Sequence, residues 1–583
     1  MTVEELHEIL DTAFKAKFVL AHMLNWYRRE KKSFWWEYFR LLKLPPDELL
    51  EERASLSYLE YSGIAERVRN SVVETYTFPY QESEVKKNDK IKNQDGVNAG
   101  TVDSIDFIKR EVKIKKAMAK AGQHPVAIFP FEDFPTTDKE NAIIAMAEWI
   151  VENGFESDLP NYRAGRDLLL RNKPRTIAPV IDTDNTLDLS LDWALKLDQS
   201  ILSIQGPPGT GKSYTASNMI IGLIKAKKKI GITALSHKVI TGLLEKVQKE
   251  ADKAGMKITM LQKVSSSNEE SYAWKTTSDN AAMLTGMANA NVIAGTSFMW
   301  STPNYSDSVD YLFVDEAGQL ALIDTLAVAQ STKNIVLLGD PQQLQQPQQG
   351  IHPEGSEVSS LEHIINGRQT ISPEQGVFLR ETWRMHPRIC GFDSELFYEG
   401  KLNARPELEN QKILGNTGFN GSGLFYTLVS HTGNTNSSQE EVDVIKQIVH
   451  NLTKGDVIWE NAINLQSIVT KQDIKIISPY NAQVQLLSEQ INEVAIGTVD
   501  KFQGQEAPII IYSVATSSPE DAPKGMSFLY SANRFNVAVS RARGIFIMVA
   551  NPSIFEPDCK SPAQIKLANP FCRFIELAQK VNM

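Results

Sequence analysis

The sequence predicts an α/β protein, with two parallel-sheet domains in tandem preceded by an N-terminal helical region and a small accessory β-barrel. Three observations predict it. From Leu187 onward, short buried runs alternate with amphipathic runs, the texture of a parallel sheet covered on both faces, and they form two blocks separated by a polar break. Between residues 71 and 130, short β-like runs are spaced by Asn, Asp and Gly turns, as in a small barrel. Before that, apolar residues fall at three and four spacings, as in Leu6, Ile9, Leu10, Ala13, Phe14 and Phe18. The expected divisions are residues 1–70 for the helical region, 71–135 for the barrel, 136–186 for a helical stalk, 187–368 for the first sheet domain and 369–583 for the second.

Helical spacing runs from Glu4 to Gly63 and includes an aromatic stretch, Phe34 to Phe39, read as core in preference to a base-stacking surface. Strands are expected at Val72 to Phe78, Gly96 to Ile105, Phe107 to Ile114 and beside Gln123 to Phe129, with a polar turn at Lys86 to Lys90. The basic run Arg163, Arg166, Arg171, Lys173 and Arg175 reads either as a solvated helix face or as a contact to a phosphate backbone. In the first sheet domain the strands fall at Ile201 to Gln205, Ile230 to Leu235, Val292 to Gly295, Tyr311 to Asp315 and Asn334 to Leu338. Those of the second fall at Lys475 to Ser478, Ala495 to Val499, Pro508 to Val514 and Ile545 to Ala550.

Composition is that of a globular chain: 583 residues, 42% hydrophobic and 23% charged. No apolar run approaches the about 18 residues a membrane span needs, so the expectation is a cytoplasmic protein with no membrane partner. Cys390, Cys559 and Cys572 stand in no ligand pattern, which predicts buried thiols and no structural metal. A net charge of −10 argues against electrostatic coating of nucleic acid but leaves room for a narrow track of amides, hydroxyls and a few basic residues.

The stretch Gly206-Pro207-Pro208-Gly209-Thr210-Gly211-Lys212-Ser213, between an apolar run and the amphipathic run that starts at Tyr214, has the spacing of a phosphate-binding loop. Polyphosphate needs several backbone N–H groups aimed at it together, and glycine lets the backbone approach that closely. A helix N-terminus adds its dipole. Lys212 would bridge the outer phosphates, and the Ser213 hydroxyl would coordinate Mg2+.

A second apolar run ends in Asp315 and Glu316. Asp315 can hold Mg2+ through water, and Glu316 can orient and deprotonate the water that attacks a γ-phosphate. A third ends in Gly339-Asp340-Pro341-Gln342-Gln343, where Gln343 could feel the γ-phosphate.

The order of these segments resembles superfamily 1 helicases, and Asp315 to Gln319 with Gly339 to Leu344 is similar to the 1B branch that contains the RNA-decay helicase of nonsense-mediated decay. Thr382-Trp383-Arg384-Met385-His386-Pro387, Ser478 to Gln483, Gly497 to Glu506 and Asn536 to Arg543 look like the later motifs of that branch, in order. The resemblance implies tandem RecA-like domains that use ATP and Mg2+ to move 5′ to 3′ along single-stranded DNA or RNA, with DNA favoured. It makes Arg384 and Arg541 the arginines that reach the γ-phosphate, a role suited to a planar, permanently charged fork. It adds Tyr214 and Glu506 to the nucleotide-binding set. It draws the nucleic-acid face from Ser236, His237 and Lys238, from Thr296 and Ser297, from Pro479 and Tyr480, and from Thr498 and Lys501. His237 and His386 read as helix or turn residues, because no partner ligands are spaced around them.

One departure stands out. The family places a glutamine, in a Ser-Gln context, upstream of the phosphate loop to read adenine, and Leu189 to Ala194 lacks it. Trp383 is expected to stack on the base in its place. Trp26 to Phe39, Tyr162 to Leu170 and Gly497 to Ser518 look like the helicase half of bacterial proteins that fuse a RecB-like nuclease to such a helicase. Residues 1–180 show no carboxylate-carboxylate-Lys pattern, so a separately encoded nuclease partner is expected. A nucleic-acid-stimulated ATPase that acts as a switch or remodelling subunit, without unwinding, shares all of these motifs.

Overall fold

A computed structural model describes residues 3–68, 70–81, 83–131, 135–265, 272–346 and 348–583. The chain forms two compact units. One comprises Met1–Ala21, Asn141–Gln346 and Glu354–Met583, the other His22–Glu140 and Pro347–Pro353. No helix among the described residues is long and apolar enough to cross a membrane.

The smaller unit is built on an antiparallel seven-stranded sheet. Its strands are Leu56–Ser57, Glu60–Val68, Ser71–Thr77, Lys90–Asn93, Asn98–Asp106, Glu111–Ala117 and Ala127–Pro130. The two end strands, Leu56–Ser57 and Glu60–Val68, are not paired with each other among the described residues, so the expected barrel is a half-barrel. The helical texture expected to reach Gly63 stops at Glu51. Irregular register in Glu60–Val68, between Tyr61 and Gly63 and again between Ile64 and Glu66, breaks the alternation that marks a strand in sequence. Phe107 to Arg110 is a turn and not strand, because the Asp106 carboxylate accepts from the amides of Ile108 and Lys109 at 3.0 Å each.

Inside the sheet, Tyr76, Val102, Val112, Ile114 and Ile128 close the core. Lys116 and Glu74 form a buried ion pair at 2.8 Å, and Lys116 also donates to the Gln123 carbonyl at 2.7 Å. A buried pair needs such extra partners to offset its desolvation. Helix Trp26–Lys43 covers one face through Tyr38 and Leu41, which join Ala127 and Phe129. The aromatic stretch is therefore divided: Tyr38 is core and Trp35 packs against it, while Trp36 and Phe39 are exposed.

The larger unit contains two parallel sheets. In the first lobe the strand order is Lys275–Thr277, Met260–Lys263, Val292–Ala294, Ile230–Thr233, Val309–Val314, Thr332–Gly339, Ile201–Gln205, Gly376–Phe378. In the second lobe it is Ala495–Gly497, Ile474–Ile477, Ala507–Ser513, Ala542–Ala550, Gly423–Leu428, Gln579–Lys580. Every strand expected after Leu187 is present within a few residues of its expected bounds. The others, among them Gly376–Phe378 and Gly423–Leu428, are too short or too mixed in pattern to stand out. Ile201–Gln205 and Ala507–Ser513 are buried along their whole length. Each fully buried Val, Leu, Ile or Phe side chain contributes about 1.5–3 kcal/mol, which makes these strands rigid supports for the loops that leave them. Because the strands run parallel, those loops gather at one carboxyl edge per sheet.

In the basic run at residues 163–175 Lys173 is exposed, but three of the arginines are engaged within the protein. Arg166 is 2% exposed and donates to the carbonyls of Phe155, Ser157 and Leu159. Arg171 donates to the His363 carbonyl at 2.7 Å, and Arg175 pairs with Asp167 at 2.7 Å. These side chains clamp loops, and that use follows from neighbours far away in sequence.

Candidate nucleotide site and nucleic-acid interface

The phosphate-binding loop leaves Ile201–Gln205 and enters helix Lys212–Lys225. Gly209 and Gly211 have φ of +75° and +83°, a region glycine enters without strain. A side chain on Gly209 would also collide with Thr382 and Arg384, so Thr382 to Arg384 press against the loop itself. The contact is hydrogen-bonded: the Trp383 amide donates to the Gly209 carbonyl at 2.9 Å, and the Thr382 hydroxyl to the Pro208 carbonyl at 3.0 Å. Thr210 closes the loop with its hydroxyl on the Pro207 carbonyl at 2.7 Å. Lys212 Nζ donates to the Gly206 carbonyl at 2.7 Å, which lays the ammonium along the loop. Ser213 lies half-buried in the first helical turn, with Tyr214 exposed beside it.

Asp315 and Glu316 follow Val309–Val314, and Asp340 follows Thr332–Gly339, the strand next to that of the loop. Asp315 is buried, and that burial, with Glu316 beside it and Lys212 opposing, pushes its carboxyl up to about 7. Its Oδ1 accepts from the Glu316 amide at 3.0 Å. Glu316 itself has φ +54°, the left-handed region where a β-carbon is strained. Strain of this kind persists where surrounding structure holds it. Gln343 is buried, and its Nε2 donates to Asp340 Oδ2 at 3.0 Å.

The second lobe brings the arginines. Arg384 donates through Nε to Glu506 Oε2 at 2.6 Å and through Nη1 to the Ser540 carbonyl at 3.0 Å. Arg541 is 2% exposed, with Nε on the Val537 carbonyl at 2.9 Å and Nη1 on the Gln505 carbonyl at 3.3 Å. Burial and then Arg384 push its guanidinium down to about 9, against the pull of Glu316. Lys212, Asp315, Glu316, Arg384 and Arg541 thus occupy one electrostatic neighbourhood. Glu506, expected at the nucleotide, holds Arg384 and stands 3.9 Å from Arg543.

Beside the loop opens a cavity of about 910 Å³, walled by Asp184, Thr186, Tyr214, Arg380, Trp383 and Arg405 among others. Trp383 is 60% exposed, and the Arg405 guanidinium lies 3.8 Å from the centre of its ring, so one indole face is covered. Leu191, in the stretch where the family carries glutamine, packs against Gly222 on the helix after the loop. No signal in the sequence pointed to Arg405. Asn533 gave no signal either, and Asn536 stood only as the first residue of the last motif; both lie on the short helix Ala532–Val539.

The candidate nucleic-acid residues fall on two loop pairs. Thr233 to Lys238 and Gly295 to Ser297 follow adjacent parallel strands of the first lobe, Ile230–Thr233 and Val292–Ala294. Ser478 to Tyr480 and Thr498 to Lys501 follow adjacent strands of the second, Ile474–Ile477 and Ala495–Gly497. Ser236 caps helix His237–Lys253 by accepting from the Val239 amide, and Lys238 is exposed. His237 Nε2 lies 3.0 Å from the Ser265 hydroxyl, and burial lowers its pKa. Thr296 is half-buried, and Ser297 is buried. Lys501 is exposed, but its Nζ donates to the Ile496 carbonyl at 2.7 Å. Pro479 and Tyr480 are buried, Tyr480 against Phe528 at 5.5 Å, so they support their loop from within and present no stacking surface.

Two family models, each described as an AAA domain, match residues 192–354 and 357–553. The Schizosaccharomyces pombe DNA replication ATP-dependent helicase/nuclease dna2 is 29% identical over 67% of this chain and 30% of its own length. The Homo sapiens DNA replication ATP-dependent helicase/nuclease DNA2 is 27% identical over 64% of this chain and 37% of its own. The Schizosaccharomyces pombe DNA polymerase alpha-associated DNA helicase A is 21% identical over 72% of this chain and 74% of its own. The chain spans about a third of the length of the first two of these relatives. The two matched AAA domains correspond to two lobes that face each other across a phosphate-binding loop, with paired carboxylates on one side and arginines on the other, an arrangement consistent with the resemblance to superfamily 1B helicases.

Proposed function

We propose that the chain is an ATP-driven helicase that moves 5′ to 3′ along single-stranded nucleic acid, DNA in preference to RNA. The observation that carries this reading is the division of the site. Lys212 and Glu316 stand on one lobe, Arg384 and Arg541 on the other, and Thr382 to Arg384 already rest on the phosphate-binding loop. Lys212 and the loop amides bind the phosphates, and Glu316 orients the attacking water and takes its proton. Arg384 and Arg541 meet the charge that develops on the transferred group. Gln343 reports the γ-phosphate. Trp383 offers its free face to the base.

Asp315 and Ser213 fit Mg2+. The Asp315 carboxyl is buried beside Lys212 and Glu316, and a carboxylate and a serine hydroxyl are the kinds of oxygen ligand a hard divalent cation takes. When bound, the ion supplies charge neutralisation at the phosphates.

Because the arginines belong to the second lobe, nucleotide draws the lobes together and hydrolysis releases them, and the two loop pairs grip a backbone alternately. Their hydroxyls and amides suit a phosphate track on a chain of net charge −10. The words DNA replication and DNA helicase in the names of the relatives support DNA, and the 1B branch supports the polarity. A cytoplasmic setting belongs to the same reading, which the free thiols Cys390, Cys559 and Cys572 support. So does a nuclease supplied by another chain.

The test is strand displacement with pure protein, ATP and Mg2+ on duplexes carrying a single 5′ or 3′ overhang. Displacement from the 5′ overhang alone supports the proposal, and preference for the 3′ overhang overturns the polarity. Stimulated hydrolysis without displacement of either duplex makes the chain a switch. Metal-dependent fragments on a denaturing gel overturn the separate nuclease.

A further inference from the structure

Tyr398 lies outside the residues that the motifs singled out, yet its hydroxyl joins the two lobes. It is fully buried at the end of helix Pro387–Phe397, the helix that follows Arg384. The hydroxyl donates to Asp340 Oδ2 at 2.7 Å and accepts from Asn536 Nδ2 at 2.9 Å. Asp340 Oδ2 also accepts from Gln343 Nε2 at 3.0 Å. Asn536 Nδ2 also donates to the Gln342 carbonyl at 2.9 Å, and Asn533, one turn earlier, to the Pro341 carbonyl at 2.9 Å. Arg541 is tied to the end of the same short helix through the Val537 carbonyl. One buried phenol therefore connects the loop that carries Gln343 to the helix that positions Arg541.

We propose that Tyr398 is a positioning residue that couples the γ-phosphate contact of Gln343 to the placement of Arg541, through Asp340 and Asn536. The inference rests on the ATPase reading above. Gln343 and Tyr398 share one carboxylate oxygen. When the Gln343 amide turns to a phosphate, Asp340 Oδ2 keeps Tyr398 as its donor, and a hydrogen bond to a charged group in a low-dielectric interior strengthens when it is no longer shared. Tyr398 in turn polarises toward Asp340 and holds Asn536 more firmly, which draws helix Ala532–Val539 and Arg541 toward the first lobe. Loss of the phosphate reverses each step.

Tyr398→Phe tests this, because it keeps the ring against Phe378 and Phe397 and removes only the hydroxyl. The expected result is nucleotide affinity within roughly twofold of the parent and kcat lower by roughly tenfold, the loss of one hydrogen bond to a charged partner. In a double-mutant cycle, Gln343→Ala should then cost little more in the Tyr398→Phe background, and the same non-additivity should appear with Asn536→Ala. An unchanged kcat with a lower Tm, or fully additive effects in both cycles, overturns the coupling and leaves Tyr398 a packing residue. Parent hydrolysis that is abolished by Lys212→Ala is the control. If the parent does not hydrolyse ATP, the ATPase reading fails; if it does and the variants add, only the coupling fails.

Discussion

Glu506 Oε2 accepts from Arg384 Nε at 2.6 Å, so a carboxylate at the end of one motif in the second lobe holds the arginine of another in place. Arg384 is mostly buried, while Glu506 is open to solvent on its outer side. Glu506→Gln should therefore loosen Arg384 and lower kcat by about tenfold to a hundredfold, the range for a hydrogen bond between charged groups worth 1.5–3 kcal/mol, with a smaller effect on nucleotide affinity. Steady-state hydrolysis beside equilibrium binding of a fluorescent ATP analogue measures the two separately. Weakened binding with kcat preserved would assign Glu506 to the nucleotide instead.

Lys212→Ala and Glu316→Gln should both stop turnover but differ in binding. Lys212 meets the phosphates, so its loss weakens affinity. Glu316 acts on water, so Glu316→Gln should keep affinity near that of the parent while hydrolysis falls by about 10²–10⁴-fold, the usual worth of a general base. Near-normal hydrolysis by Glu316→Gln would show that another group takes the proton.

Base selectivity should be loose. Trp383 offers one face to the cavity, Arg405 covers the other, and Leu191 turns to Gly222 where the family carries its adenine-reading glutamine. Stacking tolerates any base. GTP and CTP should be hydrolysed at rates comparable to ATP, and Trp383→Ala should raise KM for all of them together. A strict preference for ATP would mean that a polar group in the wall of the cavity reads adenine.

Two histidines should shape the acid limb of stability. Burial pushes His363 down to about 3 and His386 down to about 4, each with a neighbouring arginine adding to the effect, from an ordinary value of 6.5. The Arg388 amide donates to His386 Nδ1 at 3.1 Å, and Nε2 faces the Ser422 hydroxyl at 2.9 Å, which favours the neutral ring. Between pH 6.5 and about 4 the unfolded chain binds protons that the folded chain refuses. Their stabilisation is complete above pH 6.5 and is lost as pH falls, by about 1.4 kcal/mol per unit for each proton. Urea unfolding from pH 7 to 4.5 should show this slope, and His386→Asn, which keeps a capping side chain, should remove one proton's share. An unchanged slope would place the acid sensitivity in carboxylates.

The phosphate-binding loop and the strands around it were legible because their chemistry is local. Gly206 to Ser213 needs glycines at set positions to take positive φ, and the flanking strands must be continuously apolar to lie inside a covered parallel sheet. The same logic exposed Asp315, Glu316 and Gln343, which each sit just past the end of a strand. Only the tertiary structure decided what those residues touch. Arg384 and Glu506 are 122 positions apart, and Tyr398 meets Asp340 across 58 and Asn536 across 138. Nothing in a run of neighbours specifies such pairings. The basic run from Arg163 to Arg175 reads as a solvated face or a phosphate contact, yet Arg166 is buried, with four carbonyls of a preceding loop converging on it. The resemblance draws Tyr480 into the nucleic-acid face, yet it is buried with its ring tilted against Phe528. A side chain's role follows from which partners the fold brings within hydrogen-bond or van der Waals reach, and that depends on how the sheets order their strands, which periodicity along the chain does not encode.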